Sequence, residues 1–93
     1  MKVGCLPINF PNPETEPEQA ETAKKFVSTF RGFVGMSFNR DSGMVVLAFD
    51  GIESARMAKW KLEEFSTTGL HIIEGTLSDN GKKLDLHKVL KGE

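Results

Sequence analysis

One thiol and two imidazoles, Cys5, His71 and His87, are the chain's candidates for nucleophile, general base or metal ligand. A zinc site gathers three or four such groups at short, regular spacings. Neither histidine has a cysteine or carboxylate partner at ligand spacing, so no metal site is expected. Cys5, in the run V-G-C-L-P, reads as a small buried core residue. The carboxylates Glu14, Glu16, Glu18 and Glu21 crowd the start of a helical stretch, where negative charge suits the helix dipole. Lys82, Lys83, Lys88 and Lys91 form either a basic strip or an ordinary solvated edge. No nucleophile is paired with a base. The expectation is a chain that is not an enzyme, with no catalytic residue, metal or cofactor.

Length and composition narrow the classes further. The 93 residues suffice for one domain, 1–93, with a modest core. Apolar residues at 39% and charged residues at 27% are ordinary for a globular protein. A net charge of −1 argues against a broadly basic nucleic-acid footprint and leaves room for a local patch. A single cysteine can form no intrachain disulfide, which fits a reducing compartment. The apolar run after Met1 is short and broken by Pro7, unlike a signal peptide. No stretch approaches the roughly 20 apolar residues of a membrane span. A cytoplasmic protein without membrane contact is expected.

The elements that would position these residues centre on Gly43 to Phe65. Met44 to Phe49 are uncharged and almost all large and apolar, which predicts a strand covered on both faces or nearly so. Asp50 and Gly51 stop it, and Asp50 with Glu53 makes a cap pair for the next helix. Ala55, Ala58, Leu62 and Phe65 form that helix's inner face. Ala20, Ala23, Val27 and Phe30 repeat the same spacing 35 residues earlier, on a helix expected from Glu16 to Phe30 with Thr15 and Glu18 as its capping box. Lys24 and Lys59 fall in register too, which points to two related halves on one sheet. Val3 to Phe10 predicts a first strand that ends near Pro7. Phe33 to Phe38 predicts a second, with Gly35 as a weak point or bulge. Asn39 to Gly43 reads as a hairpin loop. His71 to Leu77 is a short extended piece, S-D-N-G at Ser78 to Gly81 is a turn, and Lys83 to Val89 alternates. Leu84, Leu86 and Lys88 would then share a face. The fold expected is α+β: a ferredoxin-like two-layer sandwich, βαββαβ with an extra short strand, two helices on one face of an antiparallel sheet.

With that order in place the chain resembles an RNA recognition motif. V-G-C-L-P is similar to the family's first-strand hexamer, with Lys2 at its aromatic position and Cys5 where asparagine is usual. S-G-M-V-V-L-A-F, Ser42 to Phe49, is similar to the third-strand octamer, matching it at Gly43, Leu47 and Phe49. I-E-S-A-R-M-A-K-W-K-L is similar to the second helix. The resemblance implies binding of single-stranded RNA on rings exposed at three positions. Here those positions hold Lys2, Met44 and Val46, and the octamer's basic residue is Ser42. Each stacked base is worth about 1–3 kcal/mol, so the RNA-binding implication weakens while the fold analogy stands. Enzymes share this architecture, among them acylphosphatases and small dimeric monooxygenases. R-G-F-V-G at Arg31 lacks the rest of the acylphosphatase loop, and no polar residue marks a monooxygenase cleft.

If Val45, Leu47 and Phe49 face the helices, Met44, Val46 and Ala48 face away. Lys2, Gly4 and Phe33 are expected to join them on an apolar open face, which a protein partner, a second copy, RNA or the chain's own ends would cover. Trp60 falls about opposite the helix's inner face, with Arg56, Glu53 and Glu64 around it. It reads either as a second contact site with Arg56 or as a ring packed over the stems of Arg56 or Lys61. The functional expectation is a noncatalytic binding module whose sheet face meets a protein or another copy of itself. Weak RNA binding is the alternative, and a small dimeric enzyme the second alternative.

Overall fold

Two nearly unbroken apolar runs, in the first strand and the third, take the middle of the sheet. The computed structural model describes residues 1–39, 41–64 and 69–90. In order they form β1 (Lys2–Asn9), α1 (Pro17–Ser28), β2 (Phe33–Asn39), β3 (Met44–Phe49), α2 (Ile52–Glu63), β4 (Ile72–Leu77) and β5 (Leu84–Leu90). The strands make one antiparallel sheet in the order β2-β3-β1-β4-β5. The α+β class holds, with one strand more than βαββαβ. The short piece after α2 is β4 and pairs with β1, while the last strand becomes an outer edge.

Leu6 and Ile8 of β1, Val45, Leu47 and Phe49 of β3, and Ile72 of β4 form one buried cluster with Val27, Phe30, Ala55, Ala58 and Leu62. Residues of both helices and both central strands thus meet on one side of the sheet. The repeat seen in the sequence is only partly kept. Lys59 is buried on the inner side of α2, whereas Lys24 is exposed. Phe65, expected to close that face, and Lys91 lie outside the described residues.

Where α2 crosses β1 the two backbones come very close. A Cβ on Gly4 would lie 2.8 Å from Ala55 Cβ and 2.8 Å from the Gly51 carbonyl oxygen. Only hydrogen fits there, so Gly4 faces the helix. Its strand neighbour Phe49 and the ring of Phe33, 5.9 Å from that of Phe49, are on the same side.

Several expectations change for local reasons. β1 continues through Pro7, because β4 stops pairing at Cys5 and the chain beyond has a ladder partner only on the β3 side. Neither helix has a side-chain cap. α1 starts with Pro17 at its first turn and Glu16 as N-cap. α2 starts at Gly51, and Asp50 instead accepts a 2.7 Å bond from the Ser54 hydroxyl. Gly35 does mark a register shift in β2. A second shift at Glu74/Gly75 inserts a residue into β5, so Lys88 pairs with Glu74 on the helix side and Val89 takes its place opposite Ile73.

The Gly4 crossing makes a direct expectation. Gly4→Ala should destabilise the fold by about 1–3 kcal/mol through overpacking against backbone. Gly35→Ala, whose added Cβ meets nothing within 4 Å, should stay within about 0.5 kcal/mol of wild type. Urea unfolding of the two variants decides it. Equal midpoints would contradict the close crossing.

Candidate binding surface

The sheet face turned from the helices is built by the opposite phase of each strand. Register places Val3, Cys5 and Pro7 of β1 beside Ala48 and Val46 of β3, with Gly35 and Ser37 of β2 on one flank. Ile73, Gly75 and Leu77 of β4 lie on the other flank, beside Val89, Leu86 and Leu84 of β5. No aromatic ring stands on this face among the described residues.

The face is not flat. A Cβ on Gly75 would lie 2.7 Å from the Asp85 carbonyl oxygen and 3.3 Å from Cys5 Sγ. A side chain at 75 would therefore force β5 off β4 and the hairpin off β1. With glycine there and a bulge beside it, the distal hairpin curls over the sheet. Leu77 and Leu84 pack against Val3, Cys5 and Ala48 in a second apolar cluster. Gly81 and Lys82 of the connecting turn line one cleft with Val34 to Ser37 of β2, although β3 and β1 separate β2 from β4 in the sheet. The turn holds its shape through its own polar groups. The Lys83 amide donates to the Ser78 hydroxyl at 3.0 Å, and the Lys82 amide donates to Asn80 Oδ1 at 3.0 Å.

The sequence-derived residues divide accordingly. Met44 and Val46 lie partly buried on this face, and Ala48 is on it but only 3% exposed. Gly4 and Phe33 are on the helix side. So is Lys2, in a recess with Gly51, Ile52 and Glu74. The cause is phase: β1 is apolar on both sides, so alternation alone does not fix its direction, and the bulge at Phe33/Gly35 turns Phe33 inward. Val34, at 39% exposed, and Leu86 and Val89, each at 46%, are the large apolar residues that stand out from the face. Alternation in K-L-D-L-H marked Leu86. Gly35 signalled the bulge that exposes Val34, whereas the one that exposes Val89 leaves no sequence signal.

Trp60 is 59% exposed on the outer side of α2. The charged ends of the two stems beside it have partners of their own. Arg56 pairs with Glu53 at 2.6 Å, and Lys61 Nζ sits 5.3 Å from the centre of the Phe30 ring.

The titratable groups are dispersed. His87 Nε2 lies 2.7 Å from the Thr76 hydroxyl on the opposite side of the sheet from Cys5. No group of three His, Cys, Asp or Glu able to hold a metal occurs among the described residues. No described helix is long and apolar enough to cross a membrane. Burial pushes the Cys5 thiol from 9.0 up to about 11. A nucleophilic cysteine needs the reverse shift.

No protein-family model matches the chain, and neither the curated proteins nor the solved structures yield a match.

The Cys5 shift has a measurable consequence. The folded state holds the neutral thiol more firmly than the unfolded chain does. Its contribution is therefore complete below about pH 9 and lost as pH rises toward about 11. The stability difference between wild type and Cys5→Ala should be constant near neutrality. It should shrink by on the order of 2 kcal/mol at the alkaline end. Parallel pH profiles in urea unfolding would contradict the burial of Cys5 under the hairpin.

Proposed function

We propose that the chain is a noncatalytic binding module, RNA recognition motif-like in plan, which holds a protein, a second copy included, on the sheet face turned from its helices. The plan behind this reading is the ferredoxin-like βαββαβ two-layer sandwich with β5 added at one edge. The observation that carries it is the composition of the face. Val34, Leu86 and Val89 stand out from it, and Met44, Val46 and Ile73 are only partly buried. Apolar surface of this kind, left exposed on both flanks of a covered centre, is what protein contacts cover.

RNA has less to hold. With no ring on the face among the described residues, the stacking term of about 1–3 kcal/mol per base is missing. Lysines such as Lys82 and Lys83 would supply a weak, salt-sensitive attraction. The noncatalytic part of the reading rests on Cys5, whose thiol is buried and raised, and on His87, which is engaged with Thr76. A single buried cysteine also supports a cytoplasmic setting.

The test substitutes exposed positions only. Val34→Glu with Leu86→Lys should abolish concentration-dependent association, read by light scattering, while leaving the circular dichroism spectrum native. Binding of a single-stranded RNA pool should be weak and should collapse between low salt and about 0.15 M. Tight, sequence-selective RNA binding at the higher salt would reverse the order of partners.

A further inference from the structure

Among the features still without a role are the outward Trp60 and the cleft beneath the hairpin tip, and their chemistry is complementary. The cleft holds about 240 Å3. That is less than the roughly 300–1,000 Å3 of small-molecule sites and suits one large side chain. Ala48 and Gly35 floor it, Val34, Leu77 and Leu84 wall it, and Lys82 is its one charged lining residue among those described. Lys83 is next to Lys82 in the chain and exposed. On α2, Arg56 is held by Glu53 and Lys61 is turned to Phe30. The charges three and four residues beyond Trp60, and so beside it on the helix, are Glu63 and Glu64. One molecule thus carries an apolar knob with two acids on its C-terminal side, its Arg56 neighbour being paired with Glu53, and an apolar hole lined by Lys82 with Lys83 next to it in the chain.

We propose that Trp60 of one copy seats in the cleft between β2 and the β4–β5 hairpin of the next, with Glu63 and Glu64 against Lys82 and Lys83. This rests on the reading of the sheet face as a protein-binding surface and names a second copy as the occupant. Knob and hole lie on different surfaces, so the contact is heterologous. Each added copy leaves one knob and one hole open, and assembly grows with concentration rather than stopping at two. A single aromatic anchor buries about 150–250 Å2, so the contact is weak and needs high concentration.

Trp60 is the chain's one tryptophan, and its emission reports on the contact directly. Raising wild type from about 10 μM to about 1 mM should shift the emission to the blue and raise the mean molar mass in sedimentation, both reduced by salt. Trp60→Ala and Gly35→Leu should each stay monomeric. Gly35 suits a plug because a Cβ there meets nothing within 4 Å. Mixed, the two variants should form a one-to-one dimer, since the first keeps only the hole and the second only the knob. A wild type that stays monomeric with unshifted emission overturns the proposal, while the sheet face remains open to a different protein. Association that persists in Trp60→Ala also overturns it and moves the self-contact elsewhere. Association lost in Trp60→Ala but kept in Gly35→Leu, or variants that fail to pair, shows that Trp60 seats outside the cleft, and the proposal falls.

Discussion

The close passage of α2 over β1 is the contact on which the remaining structure depends. Gly4, Gly51 and Ala55 leave no room between helix and strand for anything larger than hydrogen. Once the helix is seated there, Ala58 and Leu62 continue the same face onto the sheet, and Leu6, Ile8, Leu47 and Phe49 become the floor beneath them. Burial at roughly 25 cal/mol per Å2 then favours one phase for every central strand. The other phase is decided by exclusion. Val3, Cys5, Val46 and Ala48 have to face away, and whatever function the sheet face has is set by how that second apolar layer is covered.

Part of the cover comes from the chain itself. Gly75 lets β5 approach closely enough that Leu77 and Leu84 close over Cys5 and Ala48. The result is neither an open platform nor a closed core. Apolar surface remains toward β2 and along β5, and a cleft of about 240 Å3 lies between hairpin and β2. An exposed flat sheet lined with rings suits stacked bases. A curled sheet lined with aliphatic side chains suits an anchor residue from a protein. The same burial that makes Cys5 part of this layer also raises its thiol above the ordinary range.

β3 and both helices were legible because their patterns are distinct. Met44 to Phe49 is apolar throughout, and Ala55, Ala58 and Leu62 repeat at helical spacing. β1 was legible as a strand but not in phase, since V-G-C-L-P-I offers apolar residues to both sides. The resemblance of V-G-C-L-P to a known hexamer set Lys2 and Gly4 on the wrong face by one residue. Two bulges, at Phe33/Gly35 and Glu74/Gly75, each reverse the facing of the strand residues beyond them. Gly35 announced the first, but not its effect on Phe33, and no residue announced the second. The curl of the hairpin, and with it the cleft, was illegible for the same reason: it depends on Gly75 lying against Asp85 and Cys5, a contact made only in the folded sheet.

The central claim is that the hairpin closes over the face turned from the helices. Nuclear Overhauser contacts between methyl groups test it most directly. A closed hairpin predicts contacts from Leu84 and Leu77 to Ala48 and Val3, together with contacts from Leu84 to Val34 across three intervening strands. Leu77 and Leu84 methyls that contact only each other and their ladder neighbours would describe a flat sheet, and would contradict both the second apolar layer and the cleft built on it.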